Sequence, residues 1–125
     1  MHNIETMGWG TDERGTTAVE FAIVGPLFIG VVIGILYLCM GLFALGSMHY
    51  AVKEGARCAS VRTTVCSDAT TTVSYTKSRY FGPGSPTFTY ASAACGNSVS
   101  GSVDYVMELL LEQVTVPIKA TACFP

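Results

Sequence analysis

Charge is the scarcest commodity in this sequence of 125 residues. Only 13% of them are Asp, Glu, Lys or Arg, against about 25% in an ordinary soluble domain. The shortage is local: from Phe21 to Leu45 there are 25 residues without one charge. Basic patches are also missing, and no aromatic-interleaved basic run occurs, so nucleic-acid binding is disfavoured. No Cys-x-x-Cys pair is present, and His2 and His49 lie away from the cysteines that follow the apolar run, which argues against a zinc site. No histidine follows Ala51, which removes a histidine-based triad from the C-terminal region. The acids there, Glu54, Asp68, Asp104, Glu108 and Glu112, form no catalytic spacing, and Gly82-Pro83-Gly84 is a turn, not a phosphate loop. No enzyme, catalytic residue, metal or cofactor is expected. No internal repeat is visible.

What is present is organised around the charge-free run. Half of the residues are hydrophobic and the mean hydropathy is +0.44. The run exceeds the roughly 20 residues that a helix needs to cross a bilayer. Removing it leaves a small Thr/Ser-rich remainder, short for a self-sufficient core, and such domains often need covalent staples. The sequence has five cysteines. Cys39 lies inside the run and reads as a small buried hydrophobe. Cys58, Cys66, Cys95 and Cys123 follow it, and an even number in a small domain reads as two disulfides and an oxidising compartment. Of the three possible pairings, Cys58–Cys66 with Cys95–Cys123 is the one expected. The first closes a short loop at a helix end. The second ties the last strand back to the first hairpin.

Along the chain, residues 1–15 form a polar leader for which disorder is the default. Residues 16–62 read as one helix, a transmembrane segment continuing as a stalk. Thr17-Ala18-Val19-Glu20 matches a capping box at its start. Gly25-Pro26 should kink it or break its hydrogen bonding locally. Past Leu45 the helical pattern persists in Met48, Ala51, Val52, Gly55, Ala56 and Ala59. Residues 63–125 make a disulfide-stapled head. Ser67-Asp68 offers an N-cap, and Ala69 to Phe81 reads as a short helix with Val73, Tyr75 or Tyr80 facing inward. The tyrosines at 75, 80, 90 and 105 read as core and sheet residues. Thr87–Ala93 is one strand, Gly96-Asn97 a turn, Val99 to Met107 a second strand and Val114–Ala122 a third. Pro117 puts the third at an edge or a bulge. The fold class is α+β: a long N-terminal transmembrane helix, a short second helix and a small three-stranded antiparallel sheet.

Arg14-Gly15-Thr16-Thr17-Ala18-Val19-Glu20-Phe21, the apolar run with Gly25-Pro26, and then Lys53-Glu54-Gly55-Ala56-Arg57 together resemble the TadE-like pseudopilins of the tight-adherence (Flp, type IVc) pilus system. The likeness covers residues 14–62 and extends weakly to the strand Thr115 to Ala122. It implies a pilin-like architecture and a prepilin peptidase that cuts the Gly15–Thr16 bond. Glycine there lets an extended backbone enter a narrow site. It implies an assembly role for Glu20 and Phe21, with the Glu20 carboxylate pairing with the new α-amine of a neighbouring subunit. Glu20 also fits the positive end of a helix dipole. Gly30 and Gly34 have the spacing for close helix packing. The implied partners are the peptidase, the major pilin and other minor pseudopilins, in a hetero-oligomer. The implied location is the bacterial inner membrane, single-pass, with the amino end cytoplasmic, the head periplasmic, and incorporation into a pilus.

Plainer readings stand beside these. Glu20 serves equally as the capping-box partner of Thr17, and Glu54 with Arg57 as a solvated pair. Flanking charge leans against the implied orientation, since Lys53, Arg57 and Arg62 follow the run while Arg14 alone precedes it. The cysteines and the prepilin pattern favour the orientation given. Ala44-Leu45-Gly46 before Ser47 resembles a secretory cleavage site, but the run is longer than a usual signal core. An uncleaved single-pass envelope protein with a small periplasmic partner-binding domain is the alternative function.

Overall fold

The computed structural model describes residues 13–109 and 111–125. The leader expected over residues 1–15 therefore falls largely outside the described residues. The elements are α1 (Glu13–Val61), α2 (Ala69–Ser78), β1 (Thr87–Ala93), β2 (Gly96–Glu108) and β3 (Gln113–Phe124). This is the expected α+β class. The chain divides into two compact units between Ile35 and Leu36.

In the first unit, the described residues are helical from Glu13 onward, so Thr17 lies inside α1 and not at its cap. The capping box expected at Thr17–Glu20 is replaced by continuous helix. Pro26 also lies inside α1. Its ring removes one N–H from the ladder, the local loss of hydrogen bonding expected there, and the helix continues through it. The side chains around this part of the helix are exposed on every side, including Phe21, Ile23, Leu27 and Phe28. A helix that is apolar all round has lipid or protein as its natural surroundings.

In the second unit, a three-stranded antiparallel sheet in the order β1-β2-β3 lies on residues 37–56 of α1. Strand alternation sends Val99, Val103 and Tyr105 of β2, Ile118 and Ala120 of β3, and Phe88 of β1 to the helix side. Ser98, Ser100, Ser102 and Lys119 take the other face. The helix answers with a stripe at three- and four-residue spacing: Ala44, Met48, Ala51, Val52 and Ala56 are buried. Small residues in that stripe let the sheet approach. Met48 sits over Gly101 of β2, where an added Cβ would lie 2.6 Å from its sulfur and 2.6 Å from the Phe88 ring. Glycine in mid-strand here marks a close approach. Fully burying a side chain such as Met48, Val52 or Val99 contributes about 1.5–3 kcal/mol.

α2 is shorter than expected, ending at Ser78 instead of Phe81. The chain then turns back, and the Phe81 N–H donates to Ser47 Oγ at 2.8 Å. Asp68 caps α2 as foreseen. Its carboxylate accepts from the Thr71 N–H at 2.8 Å, and its own N–H donates to Thr71 Oγ1 at 3.1 Å. That backbone N–H, with the Thr71 hydroxyl, holds the Asp68 carboxyl below its ordinary pKa. The inward face of α2 is Thr72 and Thr76, both buried, with Val73 half-buried beside them. Tyr75 is not the core residue expected; its ring lies under the Arg79 guanidinium, 4.8 Å from it. Tyr80 packs edge-on against Phe88 and donates to the Pro83 carbonyl at 2.7 Å, and burial pushes its phenol pKa up.

The turn expected at Gly96-Asn97 falls two residues earlier, at Ala94-Cys95. Gly96 already pairs with Ala93 in the ladder. Its φ of 118° and the Phe124 carbonyl 2.4 Å from where a Cβ would stand explain the glycine. β3 is an edge strand, which accommodates Pro117 opposite Asp104.

Two disulfides close this unit, Cys58–Cys66 and Cys95–Cys123, with sequence separations of 8 and 28. In the chain-entropy account they contribute about 2.5 and 3.6 kcal/mol respectively. Beside the second, Asn97 joins the sheet to the helix end. Its amide nitrogen donates to Ser60 Oγ at 2.8 Å, and Ser60 Oγ donates to the Phe124 carbonyl at 3.0 Å.

Candidate functional site

The residues singled out in the sequence lie mainly on α1. Gly15 and Thr16 are both in helical backbone. An added Cβ at Gly15 would meet nothing within 4 Å. Glu20 and Phe21 are exposed, Phe21 at 76%, and the Phe21 ring lies over Gly25, 3.7 Å from where its Cβ would be. Gly30 and Gly34 likewise face open space. These positions share one property: nothing within the described chain covers them. Four residues separate Thr16 from Glu20, which places both on one side of the helix.

The most apolar 18-residue window of this helix has a mean hydropathy of 2.6, and 6% of it is buried within the protein. Length, apolarity and exposure together make it a candidate membrane anchor. Cys39 is free and exposed, not buried as its apolar surroundings suggested. Among the described residues no group of three or more His, Cys, Asp or Glu side chains could hold a metal ion.

The second unit has a feature that the sequence reading did not foresee: the head packs on the charge-free run itself. Tyr105 Oη donates to the Tyr37 carbonyl at 3.0 Å, and Tyr37 Oη donates to the Glu108 carbonyl at 3.2 Å. The two tyrosines thus latch the far end of β2 to the helix from both sides. Gly41 makes room, since a Cβ there would sit 3.3 Å from the Tyr105 ring. Between them runs an apolar groove of about 300 Å³, lined by Leu38, Leu42, Leu45, Met107, Val116 and Ile118 among others. No contrast of polar and apolar residues marks the packed side of the helix here, because every residue of the run is uncharged. The one available signal was Tyr37, the run's only phenol.

The other end of the unit holds Lys53, Glu54 and Arg57 of the Glu-Gly-Ala-Arg segment. Gly55 is the point where α2 meets α1. An added Cβ would lie 2.0 Å from Thr76 Oγ1, 3.1 Å from Thr76 Cβ and 3.2 Å from its Cγ2. The glycine of that segment is therefore a helix-crossing residue.

Taken together these features define a class: among the described residues, one long apolar helix with Glu20 toward its amino end, and a disulfide-closed α+β head. The family described as TadE-like protein matches this chain over residues 15–57, the same family that the sequence resembles. The matched segment begins at Gly15, includes Glu20, Gly30 and Gly34, and ends with Arg57 just past the Gly55 crossing. The match spans about a third of the chain, all of it on α1. No curated protein and no solved structure matches the chain.

Proposed function

We propose that this protein is a minor pseudopilin acting in assembly of a tight-adherence pilus, processed by a prepilin peptidase at Gly15–Thr16. The observation that carries the reading is the family match over residues 15–57. It falls on a helix whose large apolar side chains from Phe21 to Leu36 are exposed. The helix anchors the chain in the bacterial inner membrane with its amino end cytoplasmic, and the disulfides belong to an oxidising periplasm. Cleavage frees an α-amine on Thr16. Glu20 then pairs with the amine of a neighbouring subunit, which lowers the desolvation penalty of a carboxylate at a bilayer edge. Gly30 and Gly34 admit a partner helix of the major pilin or of another minor pseudopilin. The head supplies initiation, tip or priming contacts in the resulting hetero-oligomer. The work is done by binding and packing, without a catalytic residue or cofactor.

Because Gly15 sits in helical backbone, the peptidase must unwind the first turn to reach the bond. Glycine eases this, being about 1 kcal/mol less helix-favouring than alanine. The test replaces Gly15 and Glu20 separately in a pilus-forming strain. Gly15→Val is expected to block processing, and Glu20→Val to leave processing intact while abolishing assembly. Pili and adherence that survive both changes would instead establish an uncleaved envelope anchor.

A further inference from the structure

The hairpin joining β2 to β3 has the wrong residues for water. Leu109 and Glu112 exchange backbone hydrogen bonds at its end, at 2.9 and 3.2 Å. Tight turns of this kind ordinarily use Gly, Asn, Asp or Pro. Here the sequence reads Leu109-Leu110-Leu111. Leu109 is 53% exposed and Leu111 is 97% exposed. Val106, Val114 and Val116 add further exposed apolar surface on the adjoining strand ends. This end of the sheet is held against Tyr37, inside the charge-free run, by the two tyrosine hydrogen bonds described above. A bilayer takes about 20 residues of helix, and counted from Phe21 that length is used up near Met40. Tyr37 therefore falls at the far rim of the hydrocarbon, where tyrosine is enriched, its ring in apolar surroundings and its hydroxyl in polar ones.

We infer that the β2–β3 hairpin end is a second membrane contact, its Leu109 and Leu111 side chains immersed in the acyl-chain boundary of the leaflet that faces the head. The occupant of this apolar surface is lipid, and the reason is continuity: within the second unit the hairpin end meets the last part of the charge-free run, Tyr37, Leu38, Leu42 and Leu45, at Met107, Val116 and the Glu108 carbonyl. Glu108 and Glu112 flank the leucines at headgroup level, where carboxylates remain hydrated. The inference rests on the membrane reading of α1. Such a contact fixes the rotation of the head about its helix, and it must be surrendered when the subunit leaves the bilayer for a fibre.

Tryptophan reporters in the full-length protein test this. Trp9 is replaced by Phe, and single tryptophans are placed at Leu111, at Phe28 in the run and at Phe124 beside Ser60. The protein is reconstituted in phosphatidylcholine–phosphatidylglycerol vesicles with or without acyl-brominated phosphatidylcholine. Quenching by the brominated lipid is expected at Phe28→Trp and Leu111→Trp, and at Leu111→Trp by roughly twofold or more over Phe124→Trp, as for a group seated about 5–10 Å into the interface. Phe124→Trp also controls for the intrinsic membrane affinity of tryptophan. Quenching at Phe28→Trp with none at Leu111→Trp, which stays open to aqueous acrylamide, overturns the hairpin contact alone. A Leu111→Trp reporter shielded from both quenchers in proportion to protein density overturns it in favour of a second copy. No quenching at Phe28→Trp overturns this inference and the membrane reading together.

Discussion

Adding a single methyl group at Gly55 tests the packing of the head most sharply. The Cβ of Gly55→Ala would stand 2.0 Å from Thr76 Oγ1 and 3.1 Å from Thr76 Cβ. Thr76 is fully buried, and its hydroxyl donates to the Thr72 carbonyl at 2.8 Å. Rotating the side chain would forfeit that bond and still leave the Cβ contact too short. The helices must therefore separate. Overpacking of this kind costs about 1–3 kcal/mol. Alanine returns about 1 kcal/mol through helix propensity. The expected net loss is up to about 2 kcal/mol, set by how far α2 can shift. Thr76→Ala removes the closest atom, Oγ1, and Cγ2 but keeps Cβ, so the double variant should recover part of the loss and give a coupling energy of about 1 kcal/mol in a double-mutant cycle. The measurement is denaturant unfolding of the oxidised protein in detergent micelles, with amide exchange of α2 as a local probe. A Gly55→Ala protein that is more stable by about 1 kcal/mol, the propensity value alone, would refute the crossing.

Three further outcomes follow from other contacts. Gly101→Ala would push against Met48 and the Phe88 ring at 2.6 Å each, and should lower stability by about 1–3 kcal/mol in the same unfolding assay. Replacing Cys95 and Cys123 by serine should reduce stability by about 3.6 kcal/mol, more than the roughly 2.5 kcal/mol for Cys58 and Cys66, because the loop it closes is longer. Asp68→Ala should lower the melting temperature near neutral pH. The folded-state pKa of Asp68 is depressed by its bonds to Thr71. Its contribution is therefore present above the unfolded value of 3.8 and is lost as the pH falls through the folded one, so wild-type and variant melting curves should converge at that acid end.

Much of the fold was legible because it rests on strong contrasts. The missing charge between Phe21 and Leu45 marked α1, and alternation at Val99, Val103 and Tyr105 marked the central strand. Thr72 and Thr76 were missed for a chemical reason. Each hydroxyl bonds back to the carbonyl four residues earlier, Asp68 and Thr72 respectively at 2.8 Å, which lets a nominally polar side chain enter the core. Their spacing and the glycine at 55 were the only traces. The turn was misplaced by two residues because Gly96 serves a positive φ and a crowded C-terminal strand inside the ladder, not a loop. That the head reaches down to Tyr37 could not be read from periodicity, since a run apolar on every side has no face to distinguish. Of the site, Gly15, Thr16, Glu20, Phe21, Gly30 and Gly34 were legible through the family pattern. Their proposed chemistry is made with a peptidase or a second chain, so composition and spacing alone would have passed over them.

The amino terminus of the protein recovered from cells that also express a prepilin peptidase tests the central claim most directly. Mass spectrometry of the intact chain and of its first peptide reads it. The expected chain begins at Thr16, with Glu20 its fifth residue, and is lost in a peptidase-null strain. A chain that retains its leader, or one that begins at Ser47, would contradict it.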